Sequence, residues 1–269
     1  NCVRIFILFI FMTFQMPSAH AHELWLDSRQ FQPPEDENVE IELRNGQNFK
    51  GINLSYFNNR IKQFFWVQND VRHDVKSRPG DVPAMSSTIE DEGLIIVVYE
   101  SMPSTLVYNS WEKFNNFINH KDFPYAKKLH TDRELPQEGF KEQYHRYSKA
   151  LVARGHPEGS DRNFGLETEF VAQTNPYLDE PEAGFRVQLW YGQKPRENAQ
   201  VEIFERDPEG TVDIFYLRTD IEGRITVPIK AGFDYLLDAV VLREAAPEIH
   251  DGAVWESLWA AMTFSVPVK

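Results

Sequence analysis

Apolar and charged residues alternate through Val39-Glu40-Ile41-Glu42-Leu43, the period of a strand with one buried face, and Asn45-Gly46 then predicts a turn. Phe64-Phe65-Trp66-Val67 and Gly93 to Tyr99 read as further strands, the second apolar on both faces, with Ser77 to Asp81 as a loop. From Trp111 the period lengthens. Trp111 to Ile118 predicts a short helix, and Phe140, Tyr144, Tyr147 and Leu151, spaced four, three and four, predict another over Glu138 to Arg154, stopped by Gly155. That aromatic stripe reads as core packing, with Arg146 and Lys149 on the other faces. Gly155 to Asp161 reads as a linker. Beyond it, strand patterns recur at 166–172, 185–191, 201–205, 212–217, 225–229, 235–242 and 262–266, the rhythm of a β-sandwich.

Within that second set, Thr219 to Ile225 turns one strand into the next through Asp220 and Gly223, and a Gly232 turn precedes Tyr235. The hairpin resembles those of CnaB or transthyretin-like modules, a likeness that bears on fold and not on activity. The expected class is mainly β: two antiparallel β-sandwich domains, Ig-like and CnaB- or transthyretin-like, with a helical segment between them. The expected units are a signal peptide at 1–21, a sandwich at 22–107, the helical segment at 108–154 and the second sandwich at 163–269.

Composition narrows the partners. The 269 residues carry 41 acidic and 28 basic side chains, a net charge of −13, with no dense Lys/Arg cluster, so nucleic acid is not an expected partner. The single cysteine is Cys2. Arg4, the apolar run Ile5 to Phe14 and the ending Ala19-His20-Ala21 have the three parts of a secretory signal. The run is too short for the roughly 20 residues that cross a bilayer. Removal of this segment predicts a thiol-free protein in the periplasm or outside the cell, with no membrane span.

A cut after Ala21 makes His22 the new N-terminus, where α-amine and imidazole close a chelate ring suited to copper, nickel or zinc. A cut after Ala19 gives His20-Ala21-His22, which also chelates through nitrogen. The other histidines, His73, His120, His130, His145, His156 and His250, show no tight ligand spacing. Phosphate-binding glycine loops, Gly-x-Ser-x-Gly and His-Glu-x-x-His are missing, so kinase, serine-hydrolase and zincin chemistry lack support.

Five segments in order carry a wider likeness: His22-Glu23-Leu24-Trp25-Leu26, Tyr99 to Ser104, Tyr144 to Leu151, Thr219-Asp220 with Gly223-Arg224, and Trp255 to Trp259 with Thr263-Phe264. Together the chain resembles the domain-of-unknown-function 4198 family. The resemblance implies a mostly β periplasmic protein associated with nickel or cobalt uptake, not an enzyme, with His22, Trp25, Arg146, Lys149, Trp255 and Glu256 matching the family pattern. Many relatives carry a histidine where this chain has Ala239-Val240-Val241. The expected metal ligands are His22 and Glu23, with His250 or Glu256 completing the set, and a membrane transporter component is the expected partner. Two other readings stay open: a non-catalytic sandwich module that binds a protein or glycan through exposed Trp190, Trp255 or Trp259, and a copper enzyme using His22 and a second histidine as a brace.

Overall fold

Residues 22–248 and 251–268 are described by a computed structural model. The expected signal segment, with Cys2 and His20, and the candidate ligand His250 lie outside the described residues. The alternating and apolar runs form β1 (Glu23–Asp27), β2 (Val39–Gln47), β3 (Lys50–Leu54), β4 (Ile61–Gln68), β5 (Val71–Asp74), β6 (Met85–Ser87), β7 (Gly93–Ser101) and β8 (Ser104–Tyr108). Helices α1 (Trp111–His120) and α2 (Pro124–Asp132) follow, then β9 (Phe140–Arg154), β10 (Thr168–Ala172), β11 (Phe185–Tyr191) and β12 (Lys194–Pro195). The chain continues through β13 (Gln200–Arg206), β14 (Val212–Arg218), β15 (Arg224–Val227), β16 (Asp234–Glu244) and β17 (Ala253–Ser265).

The molecule is mainly β, with sheets packed face to face as a sandwich requires. A nine-stranded sheet runs β14-β13-β16-β17-β9-β7-β4-β5, with β8 also paired to β9; β1-β2-β3 with β6 and β10-β11-β12 with β15 form two smaller sheets. β17 lies parallel to β9, and this seam carries one sheet through both the 22–107 and the 163–269 units. Adjacent residues of a strand point to opposite faces, so β9 shows what covers each side. Ser148 Oγ donates to the Leu24 carbonyl of β1 at 3.1 Å, whereas Lys149 Nζ meets Glu169 of β10 at 2.9 Å. The helices share the β1 face: Thr263 of β17 donates to Leu26 O, and Trp259, four residues earlier, stacks on Phe117 of α1 at 5.8 Å.

Three local expectations change. The segment Glu138 to Arg154 is not a helix, because β9 pairs with β7, β8 and β17, and residues 146–154 are buried throughout. A strand covered on both faces loses its alternation, and aromatic residues scattered over its two faces mimic a helical stripe. The Trp111 helix forms and runs on to His120, while α2, opened by Pro124, is an element the spacing did not predict. Asn45-Gly46 lies inside β2, and the chain turns at Asn48-Phe49, both at positive φ. Gly46 serves a close strand approach instead: a Cβ there would sit 2.1 Å from the Lys50 carbonyl oxygen. No helix among the described residues is long and apolar enough to cross a membrane.

Candidate functional site

Helix α1 buries Phe114, Phe117 and Ile118 and ends where Asp122 adopts a φ of 63°. Its C-terminal end, where the helix dipole favours cations, carries His120 and Lys121 over the large sheet. Lys121 Nζ lies 2.6 Å from Glu202 Oε2, 2.9 Å from Asp238 Oδ2 and 3.3 Å from Glu23 Oε1. β1, β13 and β16 each supply one of these carboxylates, and all four side chains are buried. One oxygen from each of Glu23, Glu202 and Asp238 lies within 4.8 Å of the others, a spacing that could hold a metal ion. His120 Nε2 stands 3.2 Å from Glu202 Oε1, half-exposed at the rim. The cluster opens into a cleft of about 440 Å³ lined by Glu23, Asn48, Asn116, His120, Lys121 and Glu202.

Three carboxylates share one lysine. Burial pushes the Glu23 and Asp238 carboxyls above the usual range; Lys121 opposes this, and the neighbouring carboxylates add to it. Burial would also raise Glu202, but hydrogen bonds and charge from His120 and Lys121 bring it down to about 2. Burial disfavours the Lys121 ammonium, yet Asp238, Glu23 and Glu202 together hold it above the ordinary lysine value. The His120 imidazole is raised chiefly by its hydrogen bond to Glu202. The acid excess favours a further cation. One donor is ready for it: Glu23 Oε2 is buried and has no hydrogen-bond partner among the described residues.

His22, exposed, precedes β1, and its carbonyl accepts a hydrogen bond from the Arg146 guanidinium at 2.7 Å. Arg146 is itself buried, 4.1 Å over the Trp259 ring and 5.0 Å over that of Tyr144. The structure thus brings His22, Glu23 and Arg146 to one end of β1. It does not bring Glu256 there. Asp238 pairs with Ala261, and Glu256, five residues before Ala261 on β17, points to the opposite face. Glu256 contacts His145 Nε2 at 3.1 Å and Arg243 Nε at 2.6 Å. Lys149 lies on that same far face. Trp25 and Trp255 are core residues whose indoles donate to Asp27 at 3.3 Å and to His130 Nδ1 at 3.0 Å.

Glu202, Asp238, His120 and Lys121 were not singled out by the sequence reading. Asp238 inside Tyr235 to Leu242 and Glu202 between Val201 and Ile203 are lone acids in apolar strands, a signal of buried charge with a partner elsewhere.

A family model described as domain of unknown function (DUF4198) matches residues 19–243. No curated protein matches the chain. Among solved structures, a tetra-tandem repeat in the extending region of a large adhesion protein is 11% identical, with a TM-score of 0.21, over 91% of this chain and 50% of that one. The chain therefore spans half the length of that structure. The D0-D1 domain of intimin is 11% identical, with a TM-score of 0.20, over 90% of this chain and 97% of that one.

Proposed function

The chain belongs to the DUF4198 family, and from that footing we propose that it is an exported, non-enzymatic metal-binding accessory protein that supports uptake of nickel, cobalt or copper. The observation that carries this reading is the unpartnered, buried Oε2 of Glu23 beside two further carboxylates and next in sequence to His22. After signal removal His22 would offer its α-amine and imidazole, Glu23 a carboxylate, and His120 and Glu202 further donors lining the same cleft. Mixed nitrogen and carboxylate ligands suit these metals. Arg146 acts as a positioning residue, holding the His22 carbonyl. Lys121 keeps the carboxylates together when no metal is present, and a transporter component in the membrane would receive the cargo.

Calorimetric titration of the chain beginning at His22 with nickel, cobalt and copper salts tests the reading. His22→Ala and Glu23→Gln should each bind on the order of tenfold more weakly or worse, and affinities equal to the parent would overturn it. A binding module for a protein or glycan would present exposed tryptophans; Trp255 and Trp259 are buried, whereas Trp190 is partly exposed.

A further inference from the structure

The cleft beside Glu23 is larger than a cation requires. A molecule of liquid water occupies about 30 Å³, so a bare ion fills a small part of the 440 Å³ here, a volume within the range of about 300–1,000 Å³ found for small-molecule sites. Beyond the carboxylates, its wall includes Gln47, Asn48, Lys113, Asn116 and Asn119. Lys113, Asn116 and His120 follow one another at spacings of three and four along one face of α1. Gln47 and Asn48 come from the β2–β3 turn, where Asn48 and Phe49 have φ of 53° and 58°. A bulky residue rarely adopts that conformation, and Phe49 is held in it by burial and an edge contact with Trp25 at 5.7 Å, which pins the turn beside the cleft. Among the described residues, no hydrogen bond or ion pair engages the side chains of these five wall residues.

Such groups are poor ligands for a transition metal and good partners for a carboxylate. Side-chain amides and an ammonium present N–H donors, and Lys113 carries its charge with no carboxylate against it among the described residues. Metal donors, by contrast, are few. Lys121 and His120 already engage both Glu202 oxygens, Asp238 Oδ2 and Glu23 Oε1, and Glu23 Oε2 is left unpartnered. Nickel, cobalt and copper ions take about four to six ligands, and Glu23 Oε2 with the amine and imidazole of His22 would fill about half of these positions. Resting on the metal-binding reading above, we propose that the cargo enters as a chelate: a divalent ion already held by a small organic acid of the hydroxy- or aminocarboxylate class. Its metal end meets Glu23, and its outer carboxylate meets Lys113 and the amides of Asn48 and Asn116. Oxygen ligands on the ion give way to Glu23 Oε2 and the His22 nitrogens, and no electron moves. The acidic floor attracts the ion and the Lys113 wall attracts the free carboxylate, so charge orients the chelate. A hydrated ion would bring nothing for that wall to hold.

Native mass spectrometry of the chain beginning at His22 tests this, with nickel chloride alone, with nickel in excess citrate and with nickel in excess aspartate. The expected species carries one nickel and one molecule of acid together, and retention of one acid and not the other supports the proposal and identifies its class. Nickel bound only from the chloride, or bound without acid from every mixture, would overturn the chelate and leave the metal-binding reading standing. No nickel bound from any of the three solutions would overturn both. In calorimetry, Lys113→Met and Asn116→Leu should weaken binding of the retained chelate on the order of tenfold more than binding of nickel chloride. Equal losses would overturn the placing of the outer carboxylate.

Discussion

Glu202 and Asp238 face each other directly across β13 and β16, and the Lys121 ammonium bridges them at 2.6 and 2.9 Å. Like charges in opposed positions of a sheet repel, so this pair depends on the cation from α1. Lys121→Met is expected to lower stability by about 3–5 kcal/mol, because it leaves buried carboxylates uncompensated. Chemical denaturation measures it. Adding Asp238→Asn should recover part of the loss, and added nickel should recover more in the variant than in the parent.

Acid should act on the same cluster. The Glu202 carboxyl falls from 4.5 to about 2 in the folded protein, so its contribution is complete above pH 4.5 and drains away as pH falls toward 2. Melting temperature recorded across that window should drop steeply for the parent and less steeply for Glu202→Gln.

Metal affinity should carry the signature of His120. Its imidazole is raised by Glu202, so a proton competes for the site until the pH exceeds the ordinary histidine value of 6.5. Calorimetric affinity should climb through a midpoint above that value, and His120→Gln should flatten the climb.

Glu142 titrates in the opposite sense to Glu202. It is fully buried and raised chiefly by burial; hydrogen bonds from Ser257 and from Tyr108, at 2.8 Å, oppose the shift, as does Arg146. Its contribution is present below pH 4.5 and is lost as pH rises through the folded value. Glu142→Gln should therefore gain on the parent as pH rises, as thermal melts at increasing pH would register.

Gly46→Ala should cost about 1–3 kcal/mol, since its Cβ has no room beside Lys50 O and the β2–β3 hairpin must deform. Equal denaturation midpoints for the two proteins would contradict the close approach.

Much of the β content was legible because Val39 to Leu43 and Gly93 to Tyr99 carry patterns set by their own covering layers. β9 was not, since its polar Glu142, Arg146 and Lys149 are buried by partners more than ten residues away along the chain, and local periodicity holds no record of them. The N-terminal half of the candidate site, His22 and Glu23, could be read from its place after a signal-like segment. Glu202, Asp238 and Lys121 could not be joined to it, because only the sheet order brings their strands together. Glu256 was grouped with His22 and Glu23 by likeness, and its odd offset of five residues from Ala261, the partner of Asp238, turns it to the opposite face.

Lys121 reaches partners 98, 81 and 117 residues away along the chain. Contacts so distant in sequence form late, after the loops between them have closed. A truncated or half-folded chain would hold the same side chains and bind nothing with them, so capture of a cation at this site would double as a certificate that folding is finished.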